Sequence, residues 1–148
     1  MFKKNSFLLI LIIVSILLTL SLVAYENGRK GIPKLDVTYK GNKLNVGQGS
    51  YRWKSNGKES IFTVKSYSSV IAKRLPGAKI VPNSNLALMF DYQPENITIT
   101  GGYTEDNAPV IKNNIINIPK KSGTQLYFLD CKWKEGTVTY VIVVEIQE

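Results

Sequence analysis

The sequence has no histidine, and this removes the commonest general base and a common metal ligand. Ser–His and Cys–His catalytic pairs and histidine-based zinc sites are therefore excluded. Cysteine occurs once, at Cys131, so no intrachain disulfide can form and the fold must be stabilised by its apolar core. We expect no cofactor, no metal site and no catalytic residues, and we predict that the protein is not an enzyme.

Patterns typical of calcium and nucleic-acid binding are also missing. The acidic stretch at Glu105 and Asp106 lacks the spaced Asp-x-Asp-x-Asp ligands of a calcium loop, which favours a solvated loop. Basic residues are not concentrated on one element, so we expect no nucleic acid as a partner. Beyond Ala24, 17 of the 19 basic residues and all 11 acidic residues give a formal charge of +6. This balance favours anionic surroundings.

The one long apolar run lies at the N terminus, where Lys3 and Lys4 precede the stretch from Phe7 to Ala24. At about 1.5 Å per residue, a helix of this length extends roughly 27 Å, close to the thickness of a bilayer's hydrocarbon core. Signal-peptide cores are usually shorter, and Leu22 before Ala24 is a poor match to an Ala-x-Ala cleavage site. We therefore predict a retained transmembrane helix, with cleavage and secretion as the alternative.

The sequence divides into three segments. Residues 1–24 are the predicted signal anchor, and the positive-inside rule places the C-terminal part outside the cell membrane as a single-pass protein. Residues 25–33 have the glycine, proline and charged composition of a linker. Residues 34–148 have the length of one extracytoplasmic domain.

Beyond Lys34, apolar and polar residues alternate in short runs separated by turn residues, which predicts about eight β-strands. We expect hairpins at Lys40 to Asn42 and at Lys134 to Gly136, and we expect strands 86–90 and 97–99 to pair. Residues 66–82 are irregular, with at most two helical turns, and predict a crossover. On the strand that precedes Lys134, three residues are predicted to lie in the core: Tyr127, Cys131 and Trp133. The fold class is therefore all-β, as an antiparallel β-sandwich.

Two short motifs resemble a known group of proteins. Gly49-Ser50-Tyr51-Arg52-Trp53 and the later Trp133-x-x-Gly136 hairpin resemble small, uncharacterised, signal-anchored extracytoplasmic proteins of Gram-positive bacteria. Pro119 to Gly123, followed by Tyr127 and Trp133, resembles the last two strands of immunoglobulin-like modules. The resemblance implies an immunoglobulin-like β-sandwich outside the membrane, and it implies no activity. True immunoglobulin domains pair two cysteines across their sheets, whereas Cys131 has no partner.

Aromatic and basic residues supply the candidate partner-binding surface. The aromatic candidates, which can stack on a sugar or a peptide, are Tyr51, Trp53 and Tyr103. The basic candidates, which can contact an anionic surface, are Arg52, Lys120 and Lys121. Each set has an alternative role, since the aromatic side chains can belong to the core and the basic ones can protect strand edges from pairing.

These features predict a non-catalytic, membrane-tethered binding or accessory module for an envelope protein or an anionic envelope polymer. The first alternative is a secreted, protease-inhibitor-like or regulatory domain that presents the loop from Gly101 to Pro109 after signal cleavage. The second alternative is a hydrolase that uses a Ser–Lys pair or paired carboxylates, such as Asp91 and Glu95.

Overall fold

The computed structural model describes residues 2–27, 31–65, 75–101, 109–120 and 122–147, and within the first of these ranges the side chains of 8–21. The chain forms two compact units, Met1–Gly31 and Ile32–Glu148.

The first unit contains helix α1 (Phe2–Asn27), which includes the apolar run 7–24 and has no internal proline or glycine. Two hydroxyl groups on α1 bond within the helix, Thr19 Oγ1 to the Ile16 carbonyl and Ser21 Oγ to the Leu18 carbonyl, both at 2.8 Å. No helix within the described residues has both the length and the apolar character needed to cross a membrane.

The described part of the second unit contains eleven strands. They are β1 (Leu35–Tyr39), β2 (Asn42–Leu44), β3 (Val46–Ser55), β4 (Lys58–Phe62), β5 (Ala78–Ile80), β6 (Asn85–Phe90), β7 (Asn96–Thr100), β8 (Val110–Lys112), β9 (Ile115–Asn117), β10 (Gly123–Lys132) and β11 (Gly136–Ile146). The first sheet has the order β2-β1-β6-β9-β8, and the second has the order β4-β3-β11-β10-β7. Strand β5 pairs in parallel with the C-terminal end of β11, and all other pairs are antiparallel.

The predicted all-β, two-sheet architecture is confirmed, and so are the hairpins β1–β2 and β10–β11. The predicted pairing of strands 86–90 and 97–99 is wrong, because β6 lies in the first sheet and β7 in the second. The reason lies in residues 91–95. The Asp91 amide donates to the Lys34 carbonyl beside the first sheet, and the Glu95 amide donates to the Lys132 carbonyl of the second. This segment therefore connects the two sheets instead of closing a hairpin.

The predicted crossover at 66–82 is described only in its last part. Residues 66–74, where the helical turns were expected, lie outside the described residues. Within the remainder, Ala78–Ile80 forms strand β5, which the sequence did not predict.

The core lies between the facing sides of the two sheets. Leu86, Leu88 and Ile116 contribute from the first sheet, and Tyr127, Leu129 and Cys131 contribute from β10, each at most 3% exposed. Full burial of an apolar side chain contributes about 1.5–3 kcal/mol, so these faces supply the main driving force for folding. The predicted burial of Tyr127, Cys131 and Trp133 is confirmed.

Candidate binding surface

The motif Tyr51-Arg52-Trp53 lies on β3, where successive side chains point to opposite faces of the second sheet. Trp53 is only 3% exposed, and its ring packs edge-on against Trp133 with centroids 5.7 Å apart. Tyr51 is half-buried and stacks on Phe62 at 5.8 Å. The structure therefore places Trp53 in the core instead of at the surface, and of the three residues only Arg52 points away from the core.

The other predicted site residues do not join Arg52. Lys120 is exposed and lies shortly before β10 begins, whereas Arg52 lies beside Thr137, which pairs with Lys132 at the end of β10. Ten strand residues at about 3.4 Å each separate these two ends by roughly 30 Å. Tyr103 and Lys121 lie outside the described residues.

Polar side chains cover part of the outer face of the second sheet, the face turned away from the core. Strand register aligns Arg52, Thr137, Lys132 and Asn96 in one row, and Thr139, Asp130 and Thr98 in the next. We call this surface the threonine face, and it comprises Thr98, Thr100, Thr137 and Thr139 together with Arg52, Asp130 and Lys132. It arises because β11 alternates apolar residues toward the core, such as Val138 and Tyr140, with threonines on the opposite side.

The threonine face holds two shallow grooves. One, of about 350 Å³, is lined in part by Asn96, Thr98 and Lys132, and the other, of about 220 Å³, in part by Ser50, Arg52 and Thr63. Thr137 and Thr139 line both grooves, so the two are adjacent. Farther along β11 the outer face is not accessible to a ligand, since Val141 and Val143 are buried.

Asp130 is held in place at the centre of the threonine face. Its two carboxylate oxygens accept hydrogen bonds from Thr139 Oγ1 at 2.6 Å and from Thr100 Oγ1 at 3.2 Å. These bonds fix the orientation of the carboxylate and of both hydroxyl groups. Because both hydroxyl protons are donated to Asp130, the oxygens held in this way are preorganised acceptors for a ligand that carries hydroxyl groups.

Two cations flank Thr137. Arg52 approaches Glu59 only at 3.9 Å, with both side chains at least half exposed, so this ion pair is weak. Lys132 makes no ion pair within the described chain. Arg52 and Lys132 are two strand spacings apart, roughly 10 Å between backbones. The two positive charges outnumber the one carboxylate of the threonine face, Asp130, which lies in the next row, so negative groups of a ligand fit along the row from Arg52 to Lys132.

Cys131 lies beneath this surface and is not a nucleophile at neutral pH. Burial, and secondarily the negative charge of Asp130, raise the pKa of its thiol to about 12. A thiol with this pKa stays protonated, and only the thiolate attacks or binds metal. Among the described residues, no three acidic or cysteine side chains gather in a metal-binding arrangement. The chemistry available on the threonine face is hydrogen bonding and charge contact.

Sequence reasoning identified Arg52 but missed the threonines and Asp130. The signal was present on β11, where Thr137 and Thr139 alternate with core residues, but Thr98 could not be placed without the β7–β10 pairing.

No protein-family model, curated protein sequence or solved structure matches the chain.

Proposed function

We propose that the protein is a non-catalytic, membrane-tethered extracytoplasmic module whose threonine face binds an anionic, hydroxyl-rich envelope polymer. The observation that carries this proposal is the row in which Arg52 and Lys132 flank Thr137 above two adjacent grooves. The cations match negative groups, and the threonine hydroxyls match the polyol or sugar units between them.

The expected affinity per repeat is low. An exposed ion pair contributes about 0–1 kcal/mol, and at 0.15 M salt charges are screened beyond about 8 Å. A polymer compensates for this weakness because binding at one repeat raises the effective concentration of the next. We therefore expect binding that strengthens with polymer length and weakens with salt.

The proposal includes attachment to the membrane through residues 7–24. Support comes from α1, whose apolar side chains from Leu8 to Leu20 are about half or more exposed and whose Thr19 and Ser21 hydroxyls bond within the helix. An immunoglobulin-like sandwich and a Gram-positive origin are the finer parts of the same proposal. They are supported by the two-sheet fold and by the motifs around Trp53 and Trp133.

The test uses the full chain in a neutral detergent and a polyol-phosphate polymer as the probe. Replacing both Arg52 and Lys132 by Gln removes two contacts of up to about 1 kcal/mol each, and we expect roughly tenfold weaker binding. The matched control replaces Lys79 and Lys120 by Gln, which changes the net charge equally at the other end of β10. We expect the control to bind nearly as well as the unaltered chain.

Three outcomes would contradict the proposal. Equal weakening by both double variants would mean that only the general positive charge matters. Binding that survives both double variants and high salt would favour an envelope protein as the partner. A mature chain beginning at Tyr25 in the medium would favour the secreted regulatory domain.

A further inference from the structure

Within the described residues, strand β4 is an edge of the second sheet and pairs only with β3. All five of its residues are exposed, and two of them are apolar, Ile61 at 57% and Phe62 at 50% exposure. The opposite edge strand, β7, alternates exposed polar and half-buried residues. Both edge strands of the first sheet, β2 and β8, have only three residues each. Proteins usually shield such edges with charged residues, as Lys58 and Glu59 do in the first half of β4, so the exposed apolar residues of its second half indicate a surface for strand pairing.

The turn at Asn56 and Gly57 determines which backbone groups of β4 point outward. Both residues have positive φ values, 51° and 74°, as a two-residue type I′ turn requires. In such a hairpin the residues that flank the turn, Ser55 and Lys58, form a hydrogen-bonded pair. Along the two strands, non-hydrogen-bonded and hydrogen-bonded pairs then alternate, so the pairs at Glu59 and Ile61 are non-hydrogen-bonded. The amide and carbonyl groups of Glu59 and Ile61 therefore point away from β3. The hydrogen bond from the Lys54 amide to the Glu135 carbonyl, at 2.8 Å on the other side of β3, fits this alternation.

We propose that β4 pairs antiparallel with β4 of a second copy of this chain, centred on Ser60. In this register Glu59 of each copy faces Ile61 of the other as a hydrogen-bonded pair. The four outward backbone groups of each strand are then all satisfied by the second copy. Residues that lie directly opposite each other in a strand pair point to the same side of the sheet. Ile61 of each copy therefore points to the same side as Glu59 and Ile61 of the other, and this is the outer side of the sheet.

The side chains favour a second copy as the occupant of this edge. Lys58 faces Phe62 of the other copy, which brings a cation next to an aromatic ring. Ile61 faces Glu59 and lies diagonal to the other Ile61, so two half-exposed apolar side chains come together. No two like charges lie directly opposite each other in this register, and the two Glu59 side chains are diagonal neighbours, as the two Ile61 side chains are. The strand is therefore complementary to itself.

The pairing would be reversible, because a five-residue strand buries less than the about 1,200 Å² typical of stable complexes. It would also join the second sheets of two copies into one continuous sheet. Since Arg52 is adjacent to Ile61 on the outer side, the two threonine faces would then form one surface. The pairing does not depend on the ligand of that surface.

Disulfide trapping tests the proposed register in the full chain within membranes. The only native thiol, Cys131, is buried. The two Ser60 residues would form a non-hydrogen-bonded pair with Cα atoms about 4.5 Å apart, within disulfide range. Ser60→Cys should give a cross-linked dimer of this chain under mild oxidation. The matched control is Thr98→Cys at the middle of β7, which should give none.

A charge series makes the test specific to this register. Adding Ile61→Glu to Ser60→Cys places like charges opposite each other, since Glu59 of the other copy faces position 61, and should reduce cross-linking roughly tenfold. Adding Glu59→Gln as a third change removes the facing like charge without placing a lysine opposite Lys54 of β3, and should restore most of the dimer. Recovery also shows that Ile61→Glu leaves the fold intact.

Several results would overturn the proposal. They are the absence of a dimer from Ser60→Cys, an equal yield from Thr98→Cys, and a lack of recovery in the triple variant. Cross-linking of Ser60→Cys mainly to an unlike protein would also overturn it, since β4 would then accept another protein's strand.

Discussion

Two buried tyrosines differ in the hydrogen bonding of their hydroxyl groups. The Tyr140 hydroxyl donates to the Pro33 carbonyl, whereas the Tyr127 hydroxyl is buried without a hydrogen-bond partner in the described chain. We expect Tyr140→Phe to lower the free energy of unfolding by about 0.5–1.5 kcal/mol, because it leaves a carbonyl unpaired. Tyr127→Phe should leave it unchanged or raise it slightly. Urea denaturation of both variants checks this, and a larger loss from Tyr127→Phe would contradict the described hydrogen bonding.

Cys131 and Tyr127 should make the fold sensitive to alkaline pH. Burial raises the pKa of the Cys131 thiol from 9.0 to about 12 and that of Tyr127 from 10.0 to about 12. Between these values the unfolded chain loses the proton while the folded chain keeps it, so rising pH favours unfolding. We expect these two groups to leave the free energy of unfolding unchanged below about pH 9 and to lower it between pH 9 and 12.

Denaturation of the Cys131→Ala variant across this pH range isolates the thiol. This variant should be less stable at pH 8, because it leaves a small cavity, but its stability should decline less steeply above pH 9. Parallel stability curves for the two proteins would show that the thiol titrates normally in the folded state.

At the scale of elements, the β10–β11 hairpin depends on a close backbone approach at Gly136. A Cβ at this position would lie 1.9 Å from the Arg52 carbonyl oxygen, so a side chain would force β3 away from β11. We expect Gly136→Ala to cost about 3 kcal/mol or more. The control is Gly41→Ala in the β1–β2 turn, where the Cβ meets open space and only the positive φ of 81° opposes it. Gly41→Ala should lower the free energy of unfolding by about 1 kcal/mol. If the two variants lowered the melting temperature by similar amounts, this would contradict the close approach at Gly136.

Elements with local signals were predictable from the sequence, and long-range pairings were not. Alternation in β10 and β11 indicated which side chains face the core, including Tyr127 and Cys131. Residues 91–95 look like a hairpin turn, yet they connect two sheets, and only the partners of Asp91 and Glu95 reveal this. Strand β5 escaped prediction because three residues carry too little periodicity.

The candidate site was predicted only in part for the same reason. Arg52 was identified from its position in the motif, but a surface made from β3, β11, β10 and β7 depends on strand order, which alternation within single strands does not encode. For Trp53 the sequence left both the surface and the core open, because the motif alone does not show which of three successive residues faces the core. Lys120 was grouped with Arg52 by charge, although the length of β10 separates them.

At the scale of the whole molecule, the proposed anchor predicts where the chain is found. If residues 7–24 hold it in the membrane, the intact chain should sediment with membranes and resist extraction by high salt, which removes proteins held by charge alone. Solubilisation should require detergent. Release by salt, without cleavage, would contradict anchoring.

The most direct test of the binding account is to map the polymer's contacts on the full chain. Backbone amide spectra of isotopically labelled protein in neutral detergent would be recorded during titration with a polyol-phosphate polymer. We expect shifts concentrated at Arg52, Thr98, Lys132, Thr137 and Thr139, with Lys120 unaffected. Shifts centred on Lys120, or spread over every exposed lysine, would show that the threonine face is not the binding surface.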